Sequence, residues 1–449
     1  MQPSRSLAVK RPTGMTAFIV VWLGQIASVL ASSMSQFGLT IWMFEETGSA
    51  LAMGMMQVAF ITPFLLLSPI AGVMVDRYNR KLMMMVSDFA AIVATGSVFI
   101  LLALGRLEVW QLYVAAALNG IGNTFQWPAY SAAITTMVPK EQYSRANGLM
   151  SLMEAGPGVL APLLAGALLP LIGLAGILSI DVVTFFFAIG ALLVVVVPQP
   201  VRTAAGQEAQ GGLLHEAVYG FKYIFKRPSL LGLQMIFFFG NLFFGIAFTL
   251  LAPMVLASTG SNSVVFGAVQ SAGAIGGVLG GVIMSTWSGF KRRVNGVLLG
   301  WIISSVGLML VGAGQGLTIW LPAIFLTSLV SPLVNTSNQA IWQSKVAPDV
   351  QGRVFSARRL IAWFTNPISP IIAGAMADFV FEPAMSTDTA LAAAFGPLVG
   401  AGPGAGMGLI MVLCGFLGLL VPVIAYFIPA IRNAETILPD HDQPAPAVA

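Results

Sequence analysis

The chain has 449 residues, 57% of them hydrophobic and only 8% charged, with a formal net charge of +4. Soluble domains carry about 25% charged residues, so the composition excludes a water-soluble globule of this size and leaves an integral membrane protein. One cysteine, Cys414, excludes an intrachain disulfide and a cysteine-based metal site. The two histidines, His215 and His441, fall in a predicted loop and a tail and form no cluster.

Apolar runs of about 20 residues cross a bilayer as helices. Twelve are predicted, near 17–43, 49–75, 82–104, 109–136, 142–169, 174–197, 229–257, 263–288, 294–314, 318–344, 354–380 and 404–428. Residues 1–16 read as a polar arm. Arg5, Lys10 and Arg11 precede a first segment too long for a signal-peptide core, so that helix is expected to stay in the protein. It carries Gln25, Ser28, Ser32 and Ser35 at steps of three and four, with Gln36 beside them. Steps of that size share one helix face, and a polar stripe within a membrane faces protein or water.

Glu45, Glu46 and Gly48 form the first outer loop. The stretch GVMVDRYNRK at 72–81 follows the second apolar run and reads as a tight inner hairpin. Its Asn79 tolerates a left-handed turn better than most residues. The fourth helix carries Asn119, Asn123, Gln126, Trp127 and Tyr130, again in steps of three and four, and is followed by Lys140, Glu141 and Arg145. The fifth contains Glu154 and then Gly156, Pro157, Gly158 and Pro162, a composition that predicts a pliable kink. Asp181 lies in the sixth.

Residues 198–228 make the longest inner loop. Residues 204–212 read as a linker, and 213–227 as an amphipathic helix on the membrane surface. Beyond it the chain repeats itself. A shift of 208 pairs Arg145 with Arg353, Pro162 with Pro370, Gly166 with Gly374 and Trp127 with Asn335, and a shift of 209 pairs Gln25 with Gln234 and Gly72 with Gly281. The domains expected are an arm (1–16), a six-helix bundle (17–197), a linker (198–228), a second six-helix bundle (229–428) and a tail (429–449).

In the second half, the seventh helix carries Gln234, Asn241 and a cluster of Phe residues that includes Phe238, Phe244 and Phe248. The tenth carries Ser331, Asn335, Asn338, Gln339 and Trp342. Gly276, Gly277, Gly280 and Gly281 read as close helix contact. The glycine-rich run 400–408 opens a membrane helix and lacks the Lys-Ser/Thr of a phosphate loop. Residues 381–403 read as an outer loop with Glu382 and Asp388 and no basic residue.

With the N-terminus inside, all but one of the 21 Lys and Arg residues fall on the inner side, the exception being Arg106. That asymmetry sets orientation and places both termini in the cytoplasm. Four acids fall within membrane segments: Asp88, Glu154, Asp181 and Asp378. Such acids are functional candidates by default. Asp88 is expected to pair with Arg80 or a neighbour, while Asp181 and Asp378 lie near outer ends where water reaches them. Glu154 is the deepest; it and Asp181 are the candidates for carrying a proton.

The hairpin Gly72-x-x-x-Asp76-Arg77-x-x-Arg80-Lys81 resembles the loop between the second and third helices of the major facilitator superfamily, which usually has Gly where this chain has Asn79. Trp22-x-Gly24-Gln25, Glu46-Thr-Gly-Ser-Ala50, GVMVDRYNRKLMMMVSD at 72–88 and Gly352-Arg353-Val-Phe-Ser resemble the macrolide-efflux and siderophore-export branch of that family, over about residues 17–430. The run from Gly156 to Pro162 partly matches the fifth-helix signature of drug antiporters; the family's Gly-Gly pair is absent.

The resemblance implies an all-α fold of twelve transmembrane helices in two pseudo-symmetric six-helix bundles. It implies a proton-driven secondary exporter of amphiphilic compounds in a bacterial inner membrane. It also implies that Asp76 meets the start of the eleventh helix near Arg353, with Gly72, Arg77, Arg80 and Arg145 completing a cytoplasmic gate. Helices one, four, seven and ten would line the cavity, which nominates Gln25, Ser32, Gln36, Asn123, Gln126, Trp127 and Tyr130 in the first half. In the second half it nominates Gln234, Asn241, Phe244, Asn335, Asn338, Gln339 and Trp342. The partners expected are an amphiphilic small molecule, protons and membrane lipid, with no cofactor, no metal and no nucleic acid, and the chain is expected to act as a monomer. A passive facilitator or importer of the same architecture, and more remotely a membrane-embedded enzyme or receptor, stay open on the sequence.

Overall fold

The computed structural model describes residues 12–138, 142–197, 220–287, 289–346, 348–386 and 389–438. The predicted linker at 204–212, His215, His441, Lys140, Glu141 and Asp388 lie outside the described residues.

Long apolar helices follow one another with very short turns. They are α1 (Gly14–Thr47), α2 (Ala50–Arg77), α3 (Arg80–Ala103), α4 (Val109–Met137) and α5 (Tyr143–Val194). At 1.5 Å per residue even the 24 residues of α3 cover a hydrocarbon core of about 30 Å. The hairpin between α2 and α3 is reduced to Tyr78 and Asn79. Asn79 is not left-handed: its φ of −64° and ψ of 117° are extended, and its side chain accepts from Leu82 N at 3.3 Å. Asn therefore serves as the N-cap of α3, which explains the residue better than turn tolerance does.

The break inside α5 falls at Gly173 (φ 68°, ψ 176°), where the predicted fifth and sixth helices meet. Pro157 and Pro162 sit within helical φ/ψ, so the helix is not broken at the Gly156-Pro157 pair. Lys81 Nζ donates to Val195 O at 2.8 Å and Leu193 O at 3.3 Å, satisfying carbonyls at the end of α5.

The second half comprises α6 (Pro228–Thr259), α7 (Ser263–Thr286), α8 (Arg293–Ala313), α9 (Leu317–Leu329), α10 (Ser331–Lys345), α11 (Pro348–Trp363) and α12 (Ile368–Met376). A π turn (Ala377–Phe381), α13 (Glu382–Ser386), α14 (Ala390–Val399) and α15 (Ala405–Phe427) follow, then α16 (Pro429–Arg432) and α17 (Ala434–Ile437). Two predicted helices are thus interrupted. The tenth is α9 and α10, joined at Val330 ahead of Pro332; the eleventh is α11 and α12, joined by turns at 364–367 that end on Pro367. Proline has no N–H to continue the ladder. Residues 381–403, expected as a loop, are mostly helical. Glu382 there accepts from Met407 N at 2.8 Å and Gly404 N at 3.1 Å, capping α15. Of the predicted surface helix at 213–227, residues 220–225 are described and helical, with Ile224 buried beside Leu230 and Trp342.

The residues group into two compact units: residues 1–38 with 59–202, and residues 39–58 with 203–449. Phe18, Met84, Tyr130 and Leu192 anchor the core of the first. Leu233, Val297, Trp301 and Ile341 anchor that of the second. In the second unit, a Cβ on Gly276 or Gly280 would overlap the carbonyl oxygens of Phe325 and Leu329, so α7 and α9 touch backbone to backbone. Gly277 and Gly281 face open space. Phe89, Phe187, Phe379 and Phe427 are all more than 60% exposed. Aromatic surface of that extent suits lipid as the outer solvent.

Candidate functional site

A cavity of about 650 Å³ lies inside the second unit. Aromatic rings form its walls. Trp301 is flanked edge-on by Phe244 at 5.1 Å and Phe237 at 5.6 Å between ring centroids, and Phe248 and Phe266 extend the same lining. Its polar groups are neutral: Asn241, Gln57, Gln270, Ser304, Ser331 and Asn335 among them. Among the described residues no charged side chain belongs to the lining. A mostly apolar cleft with a few fixed amides and hydroxyls suits a large, mostly apolar molecule.

Local chemistry positions these groups. The turn before Pro367 directs Asn366 N to Trp363 O at 2.9 Å, an i to i−3 bond. This removes the usual donor from Ala362 O, which instead accepts from Asn241 Nδ2 at 3.2 Å. One turn away Gln234 Nε2 donates to Arg358 O at 3.2 Å. Two amides on α6 therefore hold α11. On α10, Ser331 and Asn335 face the cavity at a four-residue step, and Asn335 Nδ2 donates to Ser331 O at 3.1 Å.

Of the residues nominated from sequence, Asn241, Phe244 and Asn335 line this cavity. Gln234, Asn338 and Trp342 do not: each is at most 2% exposed. Trp342 lies in an apolar core with Ile224, Leu230 and Val354, donating from Nε1 to Asn338 Oδ1 at 3.0 Å. Gln339 is half-buried and accepts from Arg358 Nη1 at 2.8 Å. The lining groups missed from sequence include Gln57, Gln270 and Trp301. Single amides in otherwise apolar helices are the signal that finds the first two; Trp301 stands among aliphatic residues and has no such mark.

In the first unit, Gln25, Gln126 and Asp88 form a closed cluster. Gln25 Nε2 donates to Asp88 Oδ2 at 2.9 Å, and Gln126 Nε2 donates to Asp88 Oδ1 at 2.9 Å and to Gln25 Oε1 at 2.7 Å. Amides on α1 and α4 thus hold the carboxylate of α3. Tyr130 is buried, stacks on Phe18 at 6.0 Å between centroids, and does not line the cavity of the second unit. Asn123 and Gln36 are exposed. Asp181 is not wet, as its place near an outer end suggests, but fully buried, with Oδ1 accepting from Ser32 Oγ at 2.8 Å. Its Oδ2 and the neighbouring Ser35 Oγ are buried without a hydrogen bond of normal geometry. Gly72, Asp76, Arg77, Trp127, Arg145, Glu154 and Arg353 belong to helices, and their side chains lie outside those described. Arg80 is buried.

Asp378 has a definite task. Its carboxylate accepts from Ser49 Oγ at 2.5 Å, Ala50 N at 3.0 Å and Leu51 N at 3.0 Å. It caps the first turn of α2, where the helix dipole favours an anion. It stands on the π turn after α12, and such irregular turns recur at functional positions. Pro370 and Gly374, the repeat partners of Pro162 and Gly166, bring the two helices together. A Cβ on Gly54 would stand 2.7 Å from Pro370 O, and one on Gly374 would overlap the Leu51 backbone.

The Major Facilitator Superfamily model matches residues 21–370. Macrolide efflux protein A of Streptococcus pyogenes is 26% identical over 369 residues, covering 80% of this chain and 89% of that protein. The multidrug efflux pump Tap of Mycolicibacterium fortuitum is 24% identical over 363 residues, covering 76% and 85%. Among solved structures, an inward-facing, unoccupied bacterial homolog of the human lysosomal transporter Spinster superposes with a TM-score of 0.70 at 18% identity. That match covers 92% of this chain and 97% of the homolog, and speaks for the fold alone. The family match spans most of a chain built from serial membrane-length helices; the protein belongs to the major facilitator superfamily and is a multi-pass membrane transporter, not an enzyme.

Proposed function

We propose that the protein is a proton-coupled exporter of amphiphilic compounds, working by alternating access in the cell membrane with both termini cytoplasmic. The aromatic, uncharged cavity carries this reading: it offers apolar contact and neutral hydrogen bonds, which suit drug-like amphiphiles better than sugars, phosphates or metal ions. The efflux proteins it resembles support the direction. Asn241, Phe244 and Asn335 contact the substrate. Under the charge-derived topology, the Asp378 cap on α2 closes the outer side. Gly72, Asp76, Arg77, Arg80, Arg145 and Arg353 form the inner gate. Asp181, fully buried beside Ser32 and Ser35, and Glu154 are the groups that exchange the proton.

Inside-out vesicles with an imposed pH gradient test the reading. The parent should accumulate a fluorescent amphiphile such as rhodamine 6G only while the gradient stands. Asp181→Asn, which keeps volume and cannot ionise, should lose uphill accumulation while still equilibrating the dye. Parent transport that survives collapse of the gradient would make the protein a facilitator. Parent-rate uphill transport by both Asp181→Asn and Glu154→Gln would remove both from the coupling role.

A further inference from the structure

We propose that Arg358 and Gln339 form an anion-recognition subsite at one end of the aromatic cavity, so that the preferred substrates are amphiphiles with an acidic head group. The proposal rests on the cavity being the substrate site and adds the charge of the substrate.

Arg358 sits in the first turn of the apolar stretch Ala357–Met385, where a cation is costly unless used. Its neighbour Arg359 is exposed and reaches Trp363, with the guanidinium 5.8 Å from the ring. Arg358 turns the other way and is half-buried. Its guanidinium lies 5.3 Å from the Trp342 ring and 5.8 Å from that of Phe355, and Nη1 donates to Gln339 Oε1 at 2.8 Å.

A guanidinium presents five N–H donors in a flat fork suited to a carboxylate. One is occupied by a neutral amide. Among the described residues no carboxylate pairs with Arg358, and the charge acting on it is that of Arg359, of the same sign. The rings of Trp342 and Phe355 and the Gln339 bond fix the fork in place, which lowers the entropic cost of using it.

The subsite lies one helical turn beyond the cavity lining along α10. Ser331, Asn335 and Gln339 follow one another at four-residue steps along α10, so they share a face. Ser331 and Asn335 line the cavity. Gln339 lies about 6 Å further along the axis and holds the guanidinium. The cavity therefore has apolar aromatic walls, a neutral polar stripe and a cation one helical turn beyond. An acid on an apolar body matches that order of groups. A fatty-acid-like substrate and an anionic lipid head group share the chemistry.

The test is equilibrium binding of three probes with one body, pyrenebutyrate, pyrenebutanol and pyrenebutyl-trimethylammonium, to the full-length protein in phosphatidylcholine nanodiscs. The parent should bind the acid about tenfold or more tightly than the alcohol, as expected for a charge-assisted pair, and the cation most weakly. Arg358→Gln should erase the preference for the acid while binding the alcohol within about twofold of the parent, which also reports intact folding. Arg358→Lys should keep part of it. Repeating the measurement with phosphatidylglycerol in the disc separates the sources: competition with pyrenebutyrate that vanishes in Arg358→Gln makes lipid the natural anion, and no competition makes it the transported solute. A parent that does not distinguish acid from alcohol, or an Arg358→Gln protein that still does, overturns the proposal. Binding in discs needs no proton gradient, so a failure of the exporter reading would leave this result standing and be seen separately in vesicles.

Discussion

Replacing Asp378 by Asn tests whether the cap on α2 acts as a latch. The carboxylate now receives Ser49 Oγ, Ala50 N and Leu51 N on two oxygens. Asn offers one oxygen, and its amide would point N–H at N–H. The change removes part of an N-cap and the full charge facing the helix dipole, together about 1–2 kcal/mol. Only the conformation in which α2 meets Asp378 loses this energy, so the balance with the open form should move roughly 5- to 30-fold. Spin labels at Met55→Cys and Phe379→Cys, both exposed positions, in a Cys414→Ala background would report it by pulsed dipolar spectroscopy. The parent should give a dominant short distance, and Asp378→Asn should raise the long-distance fraction by that factor. Ser49→Ala should do the same more weakly, and less than additively with Asp378→Asn. Distance distributions identical in parent and Asp378→Asn would refute the reasoning and reduce the cap to a static helix end.

Gly280→Ala should lower the heat-aggregation midpoint of the solubilised protein, at a cost of about 1–3 kcal/mol from overpacking against Leu329; Gly277→Ala, facing open space, should match the parent. Phe244→Ala should weaken pyrenebutanol binding roughly 2- to 10-fold by removing the ring against Trp301. Trp342→Ala should instead reduce folded yield, since emptying a buried tryptophan site costs about 3–5 kcal/mol. A cysteine at Asp388 in the Cys414→Ala background should react with an impermeant maleimide from outside the cell; reaction only from the inside would reverse the topology.

Charge scarcity and apolar run length were enough to specify a membrane bundle, because a lipid solvent leaves the backbone no alternative to helices. The hairpin at 72–81 and the internal repeat carried the family, since both depend on residue order alone. Interruptions were not legible in the same way: Pro157 and Pro162 sit within helical φ/ψ while α9/α10 and α11/α12 break. At the α11/α12 break the carbonyl left without its helical donor, Ala362 O, is served by Asn241 from another helix, a partner that sequence order does not show. Steps of three and four located the polar faces of α1, α4, α6 and α10, but periodicity cannot say what a face meets. Trp342 and Asn335 occupy the same helix seven residues apart, and packing put one in a core and the other on the cavity. Asp88 and Asp378 showed only as acids in apolar helices. Their partners, Gln25 and Gln126 for one and the first turn of α2 for the other, are up to 329 residues distant in the chain. Only the tertiary structure brings them within hydrogen-bond reach, because the helices that carry them meet side by side and not in sequence.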